Sequence, residues 1–133
     1  MDDDLYPPDL ALIETLALAA RAGLPDAFRT AALQVALNVV DFAPDDMLEE
    51  LDMNDPYELT GVYEGIPLPE KSVTDQPNRP DTIWLFRRPI LEEWATRGDV
   101  GLKALVTHVY IHELAHHFGW SDEDIAAIDP WWE

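Results

Sequence analysis

The 133-residue chain is long enough to bury one hydrophobic core and too short for two lobes around a deep cleft, so one domain over 1–133 with a shallow groove is expected. Asp and Glu number 27 against 8 Lys and Arg, and the formal charge of −19 repels phosphate backbones and leaves counterion release nothing to drive, which disfavours DNA or RNA as a partner. Cysteine is absent, which excludes disulfides and thiolate metal sites and leaves histidine and carboxylate side chains as the only metal chemistry available.

Residues from Asp9 to Ala22 carry Leu10, Ile13, Leu16 and Leu18 among alanines, a helix-forming composition stopped by Gly23 and Pro25. A short helix follows over Asp26 to Ala32. Val35 to Asp41 is rich in β-formers, ends before Pro44 and reads as a strand. The acidic stretch from Asp45 to Asp52 gives one or two helical turns. From Leu59 to Pro69 the chain reads as extended: Gly61 and Gly65 permit turns or bulges, and Pro67 and Pro69 exclude a central strand position, which fits a hairpin or a sheet edge. Lys71 to Pro80 is a polar, proline-punctuated surface loop.

Thr82 to Phe86 is the strongest strand, apolar on both faces and therefore expected to be fully paired in the core. It ends at Arg87-Arg88-Pro89, where the arginines balance neighbouring carboxylates. A short helix is expected over Ile90 to Arg97, stopped by Gly98, and a long one from near Asp99 to Phe118 with Leu102, Leu105, Val106, Val109, Leu114 and Phe118. Its broad apolar coverage implies burial against a sheet on one side and a groove on the other. A last helix over Ser121 to Ile128, with Trp131 and Trp132 as packing residues, closes the chain. The sum is an α+β fold with a small mixed sheet packed against the long helix and flanking helices.

All 4 histidines, His108, His112, His116 and His117, fall within that long helix. His112-Glu113-Leu114-Ala115-His116 sets two imidazoles four residues apart, on one helical face, so both rings can reach a single ion. Glu113 lies about 100° further round and can reach a water bound to that ion. A catalytic zinc takes three protein ligands, keeps a fourth position open and lowers the pKa of its water to roughly 7, which leaves Glu113 as the general base.

Gly119 and Asp122 extend the pattern to HExxHxxGxxD. A glycine just past an apolar helix is the usual left-handed cap. The reversal it permits would bring Asp122 back as a third ligand beside His112 and His116. The same stretch has a second reading, with Ser121 capping the next helix and Asp122 an acid in its first turn, and the two are compatible. Asp129 and Glu133 are poorly placed substitutes. His108, one turn before His112, reads as a packed structural histidine ahead of a substrate contact, and His117 points off the His112/His116 face and is not expected to be a ligand.

Two larger plans that share the motif are not expected. One takes its third ligand from a glutamate on a later helix, and only 117–133 follow here; the metzincin plan needs a methionine turn, and no methionine follows Met53. Ribosomal-RNA endonucleases with three histidines on a helix and turn lack an equivalent of Glu113, and the acidic charge opposes them as well.

The run from Glu58 to Pro67, the run from Asp81 to Pro89 and the HExxHxxGxxD segment together resemble the small bacterial family of minimal zincins, or zincin-like metallopeptidases. The resemblance covers the second half of the chain well and the first half in its order of elements. It implies a compact zincin core in which His112, His116 and Asp122 match the zinc ligands and Glu113 the catalytic carboxylate.

The expectation is then a metallopeptidase that hydrolyses peptide bonds with one zinc ion and Glu113 as base, acting on a peptide or protein substrate. Extended substrate pairs with a strand edge beside the active helix in zincins, and either Thr82–Phe86 or the segment from Tyr63 to Leu68 supplies that edge, burial favouring the second. The start, Met1-Asp2-Asp3-Asp4, carries acids where a secretory signal needs positive charge, and no stretch approaches a membrane span, so a cytoplasmic location without a membrane partner is expected. The alternative is a non-enzymatic protein-interaction or regulatory module in which zinc serves structure only. The glutamate of the motif favours the enzyme, since a structural site has no need of it.

Overall fold

Asp9 opens the first helix: its carboxylate accepts a hydrogen bond from the Leu12 backbone N–H at 2.8 Å, satisfying one of the amide donors that a helix start leaves unpaired. The computed structural model describes residues 8–65 and 81–119. Along them run α1 (Leu10–Ala22), α2 (Asp26–Ala32), β1 (Ala36–Val40), α3 (Asp45–Glu50), a 3₁₀ turn (Pro56–Glu58), β2 (Gly61–Glu64), β3 (Thr82–Phe86), α4 (Arg87–Arg97) and α5 (Leu102–His117). The architecture is α+β, and the helices and strands follow the expected order, with the 3₁₀ turn over Pro56–Glu58 added. The expected loop over Lys71 to Pro80, the helix over Ser121 to Ile128 and the paired tryptophans lie outside the described residues.

One boundary is corrected. The helix expected from Ile90 begins at Arg87, so Arg87, Arg88 and Pro89 form its first turn and do not trail the strand. Proline is harmless there because the first amides of a helix have no intrahelical partner to lose. The two arginines hold the junction. Arg87 Nε donates to Asp41 Oδ1 at 2.7 Å, its Nη1 donates to the Pro8 carbonyl at 2.9 Å, and the Arg88 backbone N–H donates to the Asp41 carbonyl at 3.1 Å. The charge balance expected of the pair is made by Arg87, and with the Arg88 amide it ties the start of α4 to the end of β1.

The sheet runs in the order β1-β3-β2, with β3 parallel to β1 (Leu37 opposite Ile83, Val39 opposite Leu85) and antiparallel to β2 (Gly61 opposite Leu85, Tyr63 opposite Ile83). The central place of β3 explains its unbroken apolar run, since both of its faces are covered. Ile83 and Leu85, fully buried, face α1 and α5 and pack with Ile13, Leu105, Val106 and Leu114. Phe86, also fully buried, faces the other way into a smaller cluster with Ala43, Met47 and Leu48. Each such side chain contributes about 1.5–3 kcal/mol through burial, and these residues join β3 to α1 and α5 in one core. Among the described residues, no helix is long and apolar enough to cross a membrane.

Candidate metal centre

Helix α5 carries its apolar residues against the sheet and α1, with Leu105, Val106, Val109, Tyr110 and Leu114 buried, while His108, His112, Glu113 and His116 remain half-buried on the rest of its circumference. The four-residue spacing does what helical geometry requires. The ring centroids of His108 and His112 stand 5.9 Å apart, and those of His112 and His116 5.0 Å apart. Ligand atoms of His112, Glu113 and His116 all lie within 4.8 Å of one another. At the end of α5 Gly119, with a φ of 82°, is the left-handed cap expected there, and its N–H donates to the His116 carbonyl at 2.9 Å. Asp122 lies beyond the described residues.

A cleft of about 300 Å³ opens beside these side chains, lined by Thr60, Glu93, His108, Val109, His112 and Glu113. That volume is at the small end for a ligand site, in keeping with the shallow groove that the chain length implies. Sequence reasoning favoured a packed structural role for His108; its side chain instead stands on the cleft wall. Thr60 and Glu93 had drawn no attention in the sequence, because they reach the cleft from distant parts of the chain, the residue before β2 and the middle of α4. Glu93 also meets Arg97, one turn on, at 3.7 Å. The two tyrosines nearest the motif do not line the cleft. Tyr110 is buried, and burial raises its phenol above the ordinary range while Arg21 acts in the opposite direction. Tyr63 is engaged elsewhere.

What brings β2 over α5 is a missing side chain. A Cβ at Gly61 would come within 2.8 Å of Val109 Cγ1 and 3.1 Å of the Trp84 carbonyl oxygen, so only glycine lets the strand lie this close to the helix one turn before His112. Gly61→Ala is therefore expected to destabilise the protein by about 1–3 kcal/mol through overpacking, read as a lower denaturant midpoint at unchanged slope. Because β3 is central, β2 supplies the edge: among the described strands it is paired on one side only. Thr60, just before it, donates nothing to the sheet but accepts the Phe86 N–H through its carbonyl at 2.9 Å, which leaves its side chain on the cleft.

Behind the cleft lies a polar cluster. His117 is 3% exposed, and its Nδ1 lies 3.0 Å from the Tyr63 hydroxyl and 3.1 Å from Asp81 Oδ2. The Tyr63 hydroxyl donates to Asp81 Oδ2 at 2.7 Å. Burial first, and then Asp81, push the Tyr63 phenol far above its ordinary range, so it stays protonated and remains a donor at any working pH. His117 points off the metal face, as its position in the helix predicts. Its partners were not foreseen.

A helix that presents His-Glu-x-x-His to a cleft, packed under a small mixed sheet with an edge strand beside it, has the architecture of a zincin, the class of hydrolases that work with a helix-borne zinc ion. The match over residues 32–132 is to the zincin-like metallopeptidases, and the chain belongs to that family. No curated protein matches the chain. The family implies zinc, and the residues present fit it: two imidazoles close together on one helix face, only half-buried and with no thiolate among them, are donors that zinc accepts, and the Glu113 carboxylate stands beside them.

Proposed function

We propose that the protein is a zinc-dependent peptidase in which His112, His116 and Asp122 hold one ion and Glu113 carries the protons of peptide-bond hydrolysis. The observation that carries this reading is the convergence of ligand atoms of His112, Glu113 and His116 within 4.8 Å of one another, with His112 and Glu113 lining the cleft, in a chain of the zincin-like metallopeptidase family. Bound by these residues, zinc supplies Lewis-acid polarisation of the scissile carbonyl and acidifies water. Glu113 takes the proton of the attacking water and passes it to the leaving amine, which departs neutral. His112 and His116 stand on one face of α5, and the burial of its apolar side with Ile83 and Leu85 holds the helix, and so the two rings, in place. Among the described strands β2 is paired on one side only, and its other edge is the one an extended peptide would join, with Thr60 at its start on the cleft wall.

The deciding experiment combines metal analysis with a mixture of unstructured peptides read by mass spectrometry. One zinc per chain, with new peptide termini that disappear on chelation and return on adding zinc, is the expected result. Stoichiometric zinc without cleavage, together with collapse of the fold on chelation, would instead identify the ion as structural and the protein as a non-enzymatic module.

A further inference from the structure

Tyr63, Asp81 and His117 come from three separate places, β2, the residue before β3 and the last turn of α5, and they meet where the protein gives them little water. A carboxylate, a phenol and an imidazole buried together stabilise a fold poorly compared with apolar residues of the same size, and they are tolerated only when each is satisfied. Here they are. Asp81 only accepts, and the single Tyr63 proton goes to it, so the hydrogen-bond network assigns a proton to His117 Nδ1, which donates to the carboxylate and the phenol oxygen.

The surroundings are built around this network. Gly65, with φ of 155°, leaves the space in which the Asp81 carboxylate sits: a Cβ there would fall 2.5 Å from Asp81 Cγ and Oδ1. The Asp81 carbonyl accepts the Ala36 N–H at 2.8 Å, which fixes the residue to β1 as well. On the other side of His117, the Phe118 ring packs against it at 5.7 Å and against Phe28 at 5.3 Å.

His117 follows His116 directly. In an α-helix the directions of adjacent side chains differ by a fixed angle of about 100°, so holding one sets the other. We propose that the Tyr63–Asp81–His117 network is a positioning device for the metal site, which fixes the roll of the last turn of α5 and so the presentation of His116 and the start of the Gly119 turn. None of the three is among the residues proposed to hold the ion; they act through His116. The proposal rests on the zinc reading above.

The test uses the full chain with Co²⁺ as probe, because its visible absorption reports ligand geometry, and it compares wild type with Tyr63→Phe and Asp81→Asn. Both variants keep side-chain size, and circular dichroism with thermal melting of the metal-free protein reports their folding. The expected result is Co²⁺ affinity weakened about tenfold, within the range seen when a supporting hydrogen-bond partner of a metal site is lost, with an altered visible band in whichever variant folds. Affinity and band identical to wild type in a folded variant, even with a lower melting temperature, would reduce the network to a structural tie and overturn the proposal. Failure of wild type itself to bind Co²⁺ would overturn the zinc reading first, and the proposal with it.

Discussion

Glu113→Gln is expected to leave metal binding at wild-type strength and to lower kcat on peptide by on the order of 10²–10⁴-fold, the usual contribution of a positioned general base. The substitution is close to isosteric, so the cleft wall that Glu113 shares with His112, Val109 and Thr60 keeps its shape. What changes is that an amide cannot take a proton from water or return one to an amine. Loss of kcat with KM little altered would mark an interaction made in the transition state and absent from the ground state. Zinc content measured on the same sample separates this from loss of the ion. Turnover retained in Glu113→Gln with zinc bound would assign the proton transfers to another group, and Glu93, the other carboxylate lining the cleft, would be the next residue to replace.

The site was legible in the sequence to the extent that its chemistry is local. His112, Glu113 and His116 share one helix, and helical spacing alone puts them at one place; Gly119 announces its left-handed cap by standing just after an apolar helical run. The strand over Thr82 to Phe86 was equally plain, because a short β-rich run that is apolar on both faces marks a strand covered on both sides. The parts that escaped depend on contacts across long stretches of chain. Nothing near Gly61 in sequence says that Val109 will lie against it, and nothing near Tyr63 says that His117 will be 3.0 Å away. Arg87 was misread for a related reason: Pro89 is an equally good signal for the end of a strand and the first turn of a helix, and the anchoring of Arg87 to Asp41 decides between them. One faint signal was present. A second histidine immediately after the motif, on the buried side of an apolar helix, needs polar partners from elsewhere, and Tyr63 and Asp81 lie in the two other runs that mark the family.

His116→Ala is expected to abolish stoichiometric zinc binding, with a loss of affinity exceeding the roughly 10–100-fold that removing a mere supporting partner of a ligand costs. The imidazole is one of two neutral nitrogen donors on the face, and no other histidine can take its place: His108 lies on the far side of His112, two turns away along α5, and His117 is committed to Tyr63 and Asp81. Asp122→Ala then tests the ligand role, which the sequence favours, against the helix-start role that is compatible with it. As a third ligand, Asp122 supplies the negative charge that complements two neutral imidazoles on a dication, and its loss should weaken zinc by a factor comparable to that in His116→Ala while the metal-free protein melts almost as wild type. As an acid in the first turn of a following helix, it contributes about 0.3–1 kcal/mol through the helix dipole, and its loss should lower the metal-free melting temperature while zinc binds as before. Isothermal titration with zinc and a melting curve of the metal-free protein, made on the same two variants, read both quantities. The left-handed Gly119 cap at the end of α5 stands three residues before Asp122, and that spacing is the ground on which the ligand role is proposed.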